Sequence, residues 1–267
     1  MIACAFFSLN SPQFLTGGNF SLIIQQVMVV GTLAIGQTLI ILTGGIDLSN
    51  GAIMAFGGIV MAKLALSMTP LLAIAAGLAA VRPVRVWSTG RWRRGSRCPP
   101  FIVTLGMLNV VFALTHIYSQ DQTVTGLPDE LTFLGQTFQL GGTRVTYGSV
   151  LTIALFLLFA YLLGQTAWGR HVYALGNSPE VARLTGIRTS RLTVGVYTLA
   201  GLVYGIAALL LVSRTGVGDP QGGPDRQPRQ HHRRRPRRNE PVRRFAAWSW
   251  ARSSARSSWA CSATACS

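Results

Sequence analysis

The sequence predicts an all-α protein, a polytopic bundle of transmembrane helices in which some helices are broken. Apolar residues make up 49% of the chain and charged residues only 12%, and the mean hydropathy is +0.38. This composition is typical of proteins that cross a bilayer several times. Five apolar segments are long enough, or nearly so, to cross a hydrocarbon core about 30 Å thick. Glycines interrupt the apolar pattern where the first of these segments meets the second.

The predicted spans are rich in glycine, alanine, serine and threonine, which is typical of closely packed membrane helices. A sixth segment, 68–80, is apolar but stops short where a group of arginines begins. Residues 1–9 resemble the end of a further span whose beginning is missing, so we expect the chain to be truncated at its N-terminus. The five spans are expected at roughly 20–43, 48–66, 101–118, 147–164 and 191–213.

The junction between the first two spans contains a single carboxylate, Asp47, among glycines and hydroxyl side chains. An acid within a membrane segment is costly, and its presence there indicates a functional site. The neighbouring glycines weaken the helix, and broken helices at membrane depth occur where they are buried in protein or line a cavity. The alternative is that Asp47 caps the second helix, and the two interpretations are compatible. The candidate residues of a substrate path are Gly44, Gly45, Asp47 and Ser49.

Loop charges predict the orientation of the chain in the membrane. The loop 165–190 carries three arginines against one acid, which places it in the cytoplasm by the positive-inside rule. The loop 119–146 carries three acids against one arginine and suits the opposite face. One predicted span, 147–164, separates the two loops, so the two assignments agree.

The cytoplasmic loop contains the signals of a short helix. Asn177 or Ser178 can cap its N-terminus, and Pro179 and Glu180 provide the chemistry preferred in a first turn. Gly186 can end the helix.

This short helix also has an apolar stripe, because Val181, Leu184 and Ile187 recur at helical spacing. A solvated connector would not need such a stripe, whereas a helix that docks to a soluble partner would. We therefore expect the loop to bind a partner on the cytoplasmic face. The candidate contact residues are Gly176, Asn177, Pro179, Glu180, Ala182, Arg183 and Gly186.

The net charge of +16 comes mainly from two basic regions. Residues 81–98 hold six arginines and residues 219–267 hold eleven, whereas the other 200 residues hold seven of the 24 basic groups. The basicity therefore does not describe the fold. A genuine basic arm that binds anionic lipid or nucleic acid is one interpretation of these regions.

The sequence contains no pattern typical of an enzyme. None of the four cysteines has the spacing of a metal site. His116 and His171 fall on opposite sides of the membrane in the predicted topology, so they cannot form an acid–base pair or share a metal. No glycine loop with the lysine that cradles phosphates is present. We expect no catalytic residues, no metal and no cofactor.

Three motifs together resemble one family. ILTGGIDLS, PPFIVTLGML and GRHVYALGNSPEVARLTGI are similar to segments of the permease subunits of bacterial ATP-binding cassette importers for ribose and related monosaccharides. The resemblance covers about residues 1–80 and 99–223. The related permeases for branched-chain amino acids carry different glycine-rich motifs at the position of 43–49. The resemblance therefore favours a sugar, with another small solute such as a branched-chain amino acid as the alternative.

The resemblance implies a multi-pass protein of the bacterial inner membrane that moves a monosaccharide into the cytoplasm and is not itself an enzyme. ATP would be hydrolysed on a cassette ATPase, and the loop 176–187 would sit on that ATPase. The other implied partners are a periplasmic sugar-binding protein, a second permease copy and membrane lipid, with no nucleic acid.

The two basic regions depart from the family pattern, and both have the composition of GC-rich DNA translated out of frame. With suitable codons, one shifted reading of 224–244 gives PTGNLDSITAVVLGGTSLFGG, and the opposite shift of 251–267 gives an apolar span, GTLVGALIVGVFSNGL. That second shift applied to 87–98 allows LVNGALAARFKL, which runs into the in-frame PPFIVTLG motif. We infer frameshifts and divide the chain into a permease domain, 1–223, with an out-of-frame insert at 81–98, and a basic low-complexity tail, 224–267.

An arginine at the centre of a membrane helix costs roughly 2.5–3.5 kcal/mol on insertion scales. We therefore expect residues 81–98 and 224–267 to be disordered or poorly packed. We also expect this chain, as written, to be defective in transport.

Overall fold

A computed structural model describes the backbone of residues 14–90, 100–140 and 143–221. Six long helices lie in this part of the chain and agree with the predicted spans to within a few residues, apart from α3. They are α1 (Gly17–Ile41), α2 (Asn50–Ala65), α3 (Pro70–Gly90), α4 (Pro100–Ser119), α6 (Tyr147–Gln165) and α9 (Thr189–Thr215). The shorter helices are α5 (Asp129–Thr132), α7 (Ala167–Asn177) and α8 (Pro179–Leu184). The all-α prediction is confirmed.

Two helices form the centre of the bundle. Every residue of α2 from Ile53 to Ala62 is buried, and α9 has no exposed residue after Arg191. Helix α9 packs against α1, α2 and α3, while α2 also packs against α4, and α6 packs against α1. The central position of α9 explains why it is apolar on all sides rather than amphipathic.

Glycines allow these helices to approach closely. A methyl group added to Gly36 of α1 would lie 2.5 Å from Cε1 of Tyr204, and one added to Gly77 of α3 would lie 2.1 Å from Cγ of Met61. Close packing of side chains against glycines in this way replaces the hydrophobic driving force that is missing between helices in lipid.

Four of the described helices are long and apolar enough to cross a membrane, namely Gly17–Ile41, Phe101–Ser119, Tyr147–Gln165 and Thr189–Thr215. Two others, Asn50–Ala65 and Pro70–Val81, are apolar but shorter. At 1.5 Å per residue, the 16 residues of α2 extend about 24 Å.

Contacts between helices and the positions of the short helices distinguish two ends of the bundle. At one end, Lys63 donates to the carbonyl of Tyr118 at 2.7 Å, and Arg214 donates to Gln26 at 2.7 Å. The opposite end carries α7, α8 and the start of α9. Following the predicted loop charges, we call the end with α7 and α8 the cytoplasmic end and the other the outer end.

The outer end contains a small β-hairpin that the sequence analysis did not predict. Strands β1 (Thr137–Leu140) and β2 (Thr143–Thr146) pair antiparallel, with Thr137 opposite Thr146. A 3₁₀ turn, Phe133–Gly135, precedes the hairpin and is anchored by a hydrogen bond of 2.6 Å from the Gly135 N–H to the Ser213 hydroxyl.

Two expectations about order need correction. The segment 165–190, predicted as a loop with one short helix, is mostly helical, because α7 precedes the predicted helix α8. Helix α3 continues through residues 81–90, so the disorder expected there is wrong. The expected poor packing stays a prediction, because the side chains of 82–90 lie outside the described residues. The expectations for residues 1–9, 91–98 and 224–267 concern positions outside the described residues.

Candidate functional site

The segment between α1 and α2 leaves the helical conformation at the predicted glycines. Burial alternates along it: Thr43, Gly45, Asp47 and Ser49 are buried, and the residues between them are exposed or partly exposed. This alternation is the pattern of an extended chain with one face against the protein. Three of the four predicted path residues therefore share one buried face, and Gly44 is on the other.

Asp47 is 2% exposed, and its carboxylate bonds to its own chain. Its Oδ1 accepts a hydrogen bond of 3.0 Å from the Ser49 N–H and one of 2.6 Å from the Ser49 hydroxyl. The bond from residue i to the N–H of residue i+2 is the pattern of an Asx-turn. The interpretation of Asp47 as the N-cap is wrong in detail, because the N-cap of α2 is Ser49. Asp47 instead fixes the turn that leads into the helix.

The two glycines before Asp47 are required for different reasons. Gly44 has φ of +72°, a left-handed conformation that strains other residues. Gly45 lies against α9, where an added methyl group would be 2.6 Å from the hydroxyl oxygen of Tyr197.

Two tyrosines on α9 complete this buried region and were missed by the sequence analysis. Tyr197 and Tyr204 are seven residues apart, so both lie on one face of the helix, and both are buried. The Tyr204 hydroxyl donates to Oε1 of Gln37 on α1 at 3.3 Å. Two tyrosines at heptad spacing in an otherwise apolar span were the available signal.

The segment 42–49 lies toward the cytoplasmic end rather than at the middle of the bundle. Tyr197, beside Gly45, is eight residues after the start of α9, which corresponds to about 12 Å along the helix. Thr104, in the second turn of α4, donates to the carbonyl of Ile46 at 3.2 Å.

Helices α7 and α8 begin at hydroxyl caps. Thr166 accepts a hydrogen bond of 3.2 Å from the Gly169 N–H, and Ser178 accepts one of 3.4 Å from the Val181 N–H. Of the two predicted caps for α8, Ser178 is therefore the one used. Gly186 ends the turn after α8 with φ of +86°, as its position predicted.

Two of the three residues of the predicted apolar stripe face outward, whereas Ile187 lies after the end of α8 and is partly buried. Val181 is 58% exposed and Leu184 is 87% exposed, whereas Ala182 is buried against the protein. Helix α7 buries Val172 and Leu175 but leaves Tyr173 half exposed. Glu180 and Arg183 are also exposed, so the cytoplasmic end presents apolar and charged groups together.

The two predicted sites touch each other at Gly176. A methyl group added there would lie 2.0 Å from the carbonyl oxygen of Leu42. The last turn of α7 is therefore in backbone contact with the chain five residues before Asp47.

The histidines lie far apart, as the topology predicted. His116 is at the outer end, where it pairs with Asp121, and His171 is on α7. Within the part of the chain that the structure describes, no three His, Cys, Asp or Glu residues are grouped so that they could hold a metal ion.

A family model described as branched-chain amino acid transport system / permease component matches residues 19–226. The chain is 38% identical over 226 residues to the fructose import permease protein of Rhizobium meliloti, covering 82% of this chain and 62% of that protein. It is 34% identical to the ribose import permease proteins of Bacillus subtilis and Escherichia coli K12. Those matches cover 81% and 84% of this chain and 67% and 70% of the two relatives.

The chain thus spans about two thirds of the length of these relatives. No solved structure matches it significantly. With its apolar helices, it is a multi-pass protein of the bacterial inner membrane. The chain belongs to the branched-chain amino acid transport system / permease component family, and the relatives it resembles at 34–38% identity are sugar import permeases.

Proposed function

We propose that the chain is the membrane permease subunit of an ATP-binding cassette importer that moves a monosaccharide into the cytoplasm. The observation that carries this proposal is the identity of 34–38% to fructose, ribose and arabinose permeases over more than four fifths of the chain. The chain performs no catalysis in this proposal, and ATP is hydrolysed on a partner ATPase.

The cytoplasmic end provides the surface for that ATPase. Leu184 and Val181 are exposed apolar side chains next to the charged pair Glu180 and Arg183. Exposed apolar groups beside charges are typical of a surface that another protein covers. The contact residues proposed from the sequence, Gly176, Asn177, Pro179, Glu180, Ala182, Arg183 and Gly186, divide into two groups. Ala182 and Gly176 pack inward, and the other five are exposed. Among the exposed residues, Glu180 and Arg183 carry the charges that meet the partner.

Asp47 and its glycines shape the inner end of the sugar path. Because Asp47 is buried and bonded to Ser49, its role is to hold the turn between α1 and α2. Gly44, Gly45 and Ser49 permit that turn. The other partners in this proposal are a periplasmic sugar-binding protein, a second permease copy and lipid around the exposed apolar face of α6.

Uptake measurements test the proposal. We expect a frame-restored chain, reconstituted with its ATPase and sugar-binding protein, to take up a labelled monosaccharide when ATP is supplied, and not leucine. This chain as written is expected to give no uptake and no ATPase in a pull-down, because the arginines of 233–238 cost roughly 2.5–3.5 kcal/mol each within a membrane helix.

Two results would count against these expectations. Uptake of leucine in place of every sugar would assign the chain to amino-acid transport, the function that the family description names. Equal uptake by both chains would show that the basic regions are functional protein.

The charged pair of α8 gives a second prediction. In the frame-restored chain, Glu180→Lys combined with Arg183→Glu is expected to abolish transport while membrane insertion persists. The double reversal keeps opposite charges three residues apart within α8, an i,i+3 pair, and reverses the charges that a partner meets. It also opposes the helix dipole, at a cost of about 0.3–1 kcal/mol per charge, so the helical content of α8 is checked alongside. Uptake and ATPase pull-down provide the measurement.

The matched control is Glu180→Asp with Arg183→Lys, which conserves both charges and should retain most transport. If the charge-reversed chain transported as well as this control, the α8 surface would be a connector and not a docking site.

A further inference from the structure

Asn109 is an exposed carboxamide at the middle of a predicted transmembrane helix. It is the tenth residue of the 20-residue helix α4, so it lies about 13 Å from either end. Its Nδ2 donates to the carbonyl of Leu105 at 3.0 Å. Its remaining hydrogen-bonding groups have no protein partner among the described residues.

Helix α6 shows what a lipid-facing surface of this protein looks like. Helices α4 and α6 are similarly exposed, because only 22% of the most apolar 18-residue stretch of each is buried. From 150 to 158, the exposed residues of α6 are all apolar, namely Val150, Ile153, Ala154, Phe156, Leu157 and Leu158. A carboxamide in hydrocarbon without full hydrogen bonding is costly, and polar groups within membrane spans face protein or water. The exposed residues around Asn109 on α4 are apolar too, namely Leu105, Val110, Phe112 and Leu114. It is therefore the carboxamide, and not the helix as a whole, that indicates a surface facing water or protein rather than lipid.

The surface beside Asn109 has open space. An added methyl group at Gly106, one turn before Asn109, would meet no atom within 4 Å. Ala113, one turn after it, is exposed and small. The carboxamide thus has small residues, Gly106 and Ala113, on one side and the exposed side chains of Leu105 and Phe112 on the other. The small side leaves room for a small polar molecule to reach it.

Toward the outer end, the same face carries an aromatic ring and then a histidine paired with a carboxylate. Phe112 and His116 are three and seven residues after Asn109, and their ring centroids are 4.4 Å apart. His116 Nδ1 bonds the carboxylate of Asp121, whose side chain is 77% exposed. Gln120 and Asp121 both have φ of 56°, a left-handed conformation that folds the chain back so that Asp121 reaches His116.

We propose that this face of α4, from Asp121, which His116 holds in place, past Phe112 to Asn109, lines the route of the monosaccharide from the outer end to the middle of the membrane. The inference rests on the proposed function. A carboxamide both donates to and accepts from sugar hydroxyls, an ionised carboxylate accepts from them, and an aromatic ring packs against the apolar C–H face of a sugar. His116 positions the carboxylate, because its Nδ1 bonds Asp121 and its Nε2 is buried.

Cysteine labelling tests the route. In a frame-restored full chain assembled with its ATPase, the native cysteines are replaced by serine. Asn109→Cys, Ile153→Cys on α6 and Ile59→Cys in the core are then compared with a membrane-impermeant methanethiosulfonate reagent. Asn109→Cys is expected to react roughly tenfold faster or more than Ile153→Cys, because the reactive thiolate forms in water and not in hydrocarbon. Ile59→Cys, whose parent side chain is fully buried, should stay unreactive and reports that the bundle is folded. Transported monosaccharide should slow the labelling of Asn109→Cys.

Each other outcome overturns the inference in a distinguishable way. Equal rates at positions 109 and 153 would make this face a lipid face, and sugar uptake by the parent chain would leave the proposed function intact. A disulfide between two copies at position 109, without labelling, would show that a second copy covers the face. Labelling that a transported sugar does not slow would show a water-filled surface that sugar does not touch. Absence of sugar uptake by the parent complex would refute the proposed function itself.

Discussion

Replacement of Gly176 by alanine is expected to destabilise the packing of α7 on the bundle by about 3 kcal/mol or more. The added methyl group would lie 2.0 Å from the carbonyl oxygen of Leu42 and 3.0 Å from the carbonyl carbon of the same residue. Overpacking typically costs 1–3 kcal/mol when side chains can shift. Here the obstacle is backbone, so α7 or the end of α1 has to move as a unit. The measurement is the yield of folded protein in detergent and its thermal midpoint.

Gly164→Ala is the matched control, because Gly164 is also in a helix and a methyl group there meets nothing within 4 Å. It should leave stability unchanged or raise it slightly, since alanine is the better helix former. A thermal midpoint for Gly176→Ala equal to that of the Gly164 variant would mean that α7 does not rest on Leu42.

Replacement of Asp47 by alanine is expected to destabilise the turn between α1 and α2 and to reduce transport in the frame-restored chain. The change leaves the Ser49 N–H and hydroxyl without their acceptor in a buried position. An unsatisfied buried polar group costs about 1–3 kcal/mol. Thermal unfolding in detergent measures this loss, and ATP-driven uptake measures its functional effect.

Asp47→Asn separates shape from charge, because the carboxamide keeps an acceptor oxygen where Oδ1 lies. If Asp47 serves only the turn, the asparagine variant should recover both stability and uptake. If its charge also matters for the path, stability should return while uptake stays low. Full uptake by the alanine variant would remove both roles.

The long helices were predictable because hydrophobicity alone places them. The segments around α4, α6 and α9 are continuous apolar runs of bilayer length, and these three helices begin and end within two residues of the predicted limits. The alanine-rich helix α3 is different, because it continues ten residues beyond its predicted end at residue 80. Helix α7 was missed because glycines and polar residues interrupt it. Its apolar residues Trp168, Val172 and Leu175 do recur at helical spacing, and that signal could have found it.

The hairpin at the outer end also left a signal. The segment 137–140 alternates polar and apolar residues, and a Gly-Gly pair separates it from the threonine- and valine-containing segment 143–146, which together form a hairpin pattern.

The internal arrangement of the candidate site was only partly predictable. The glycines and Asp47 were found because a carboxylate in an apolar chain is rare. Their neighbours Tyr197 and Gly176 are more than 120 residues away in the chain, and no periodicity in one sequence reports which distant residues meet. The exposure of Leu184 agrees with the expected docking stripe, but helical spacing alone did not show that Ala182 would be the residue of α8 packed against the protein.

The contact between Gly176 and Leu42 has a thermodynamic consequence. Because there is no room for even a methyl group between them, a displacement of α7 toward the bundle requires the chain leading to Asp47 to move as well. Binding equilibria that depend on one shared displacement are reciprocal. Suppose that a partner moves α7 by docking and thereby changes the affinity of the turn for a ligand. That ligand must then change the affinity of the partner for this chain by the same factor. The affinity of the partner for this chain therefore depends on whether a ligand occupies the turn, and it can be measured in the cytoplasm, outside the membrane.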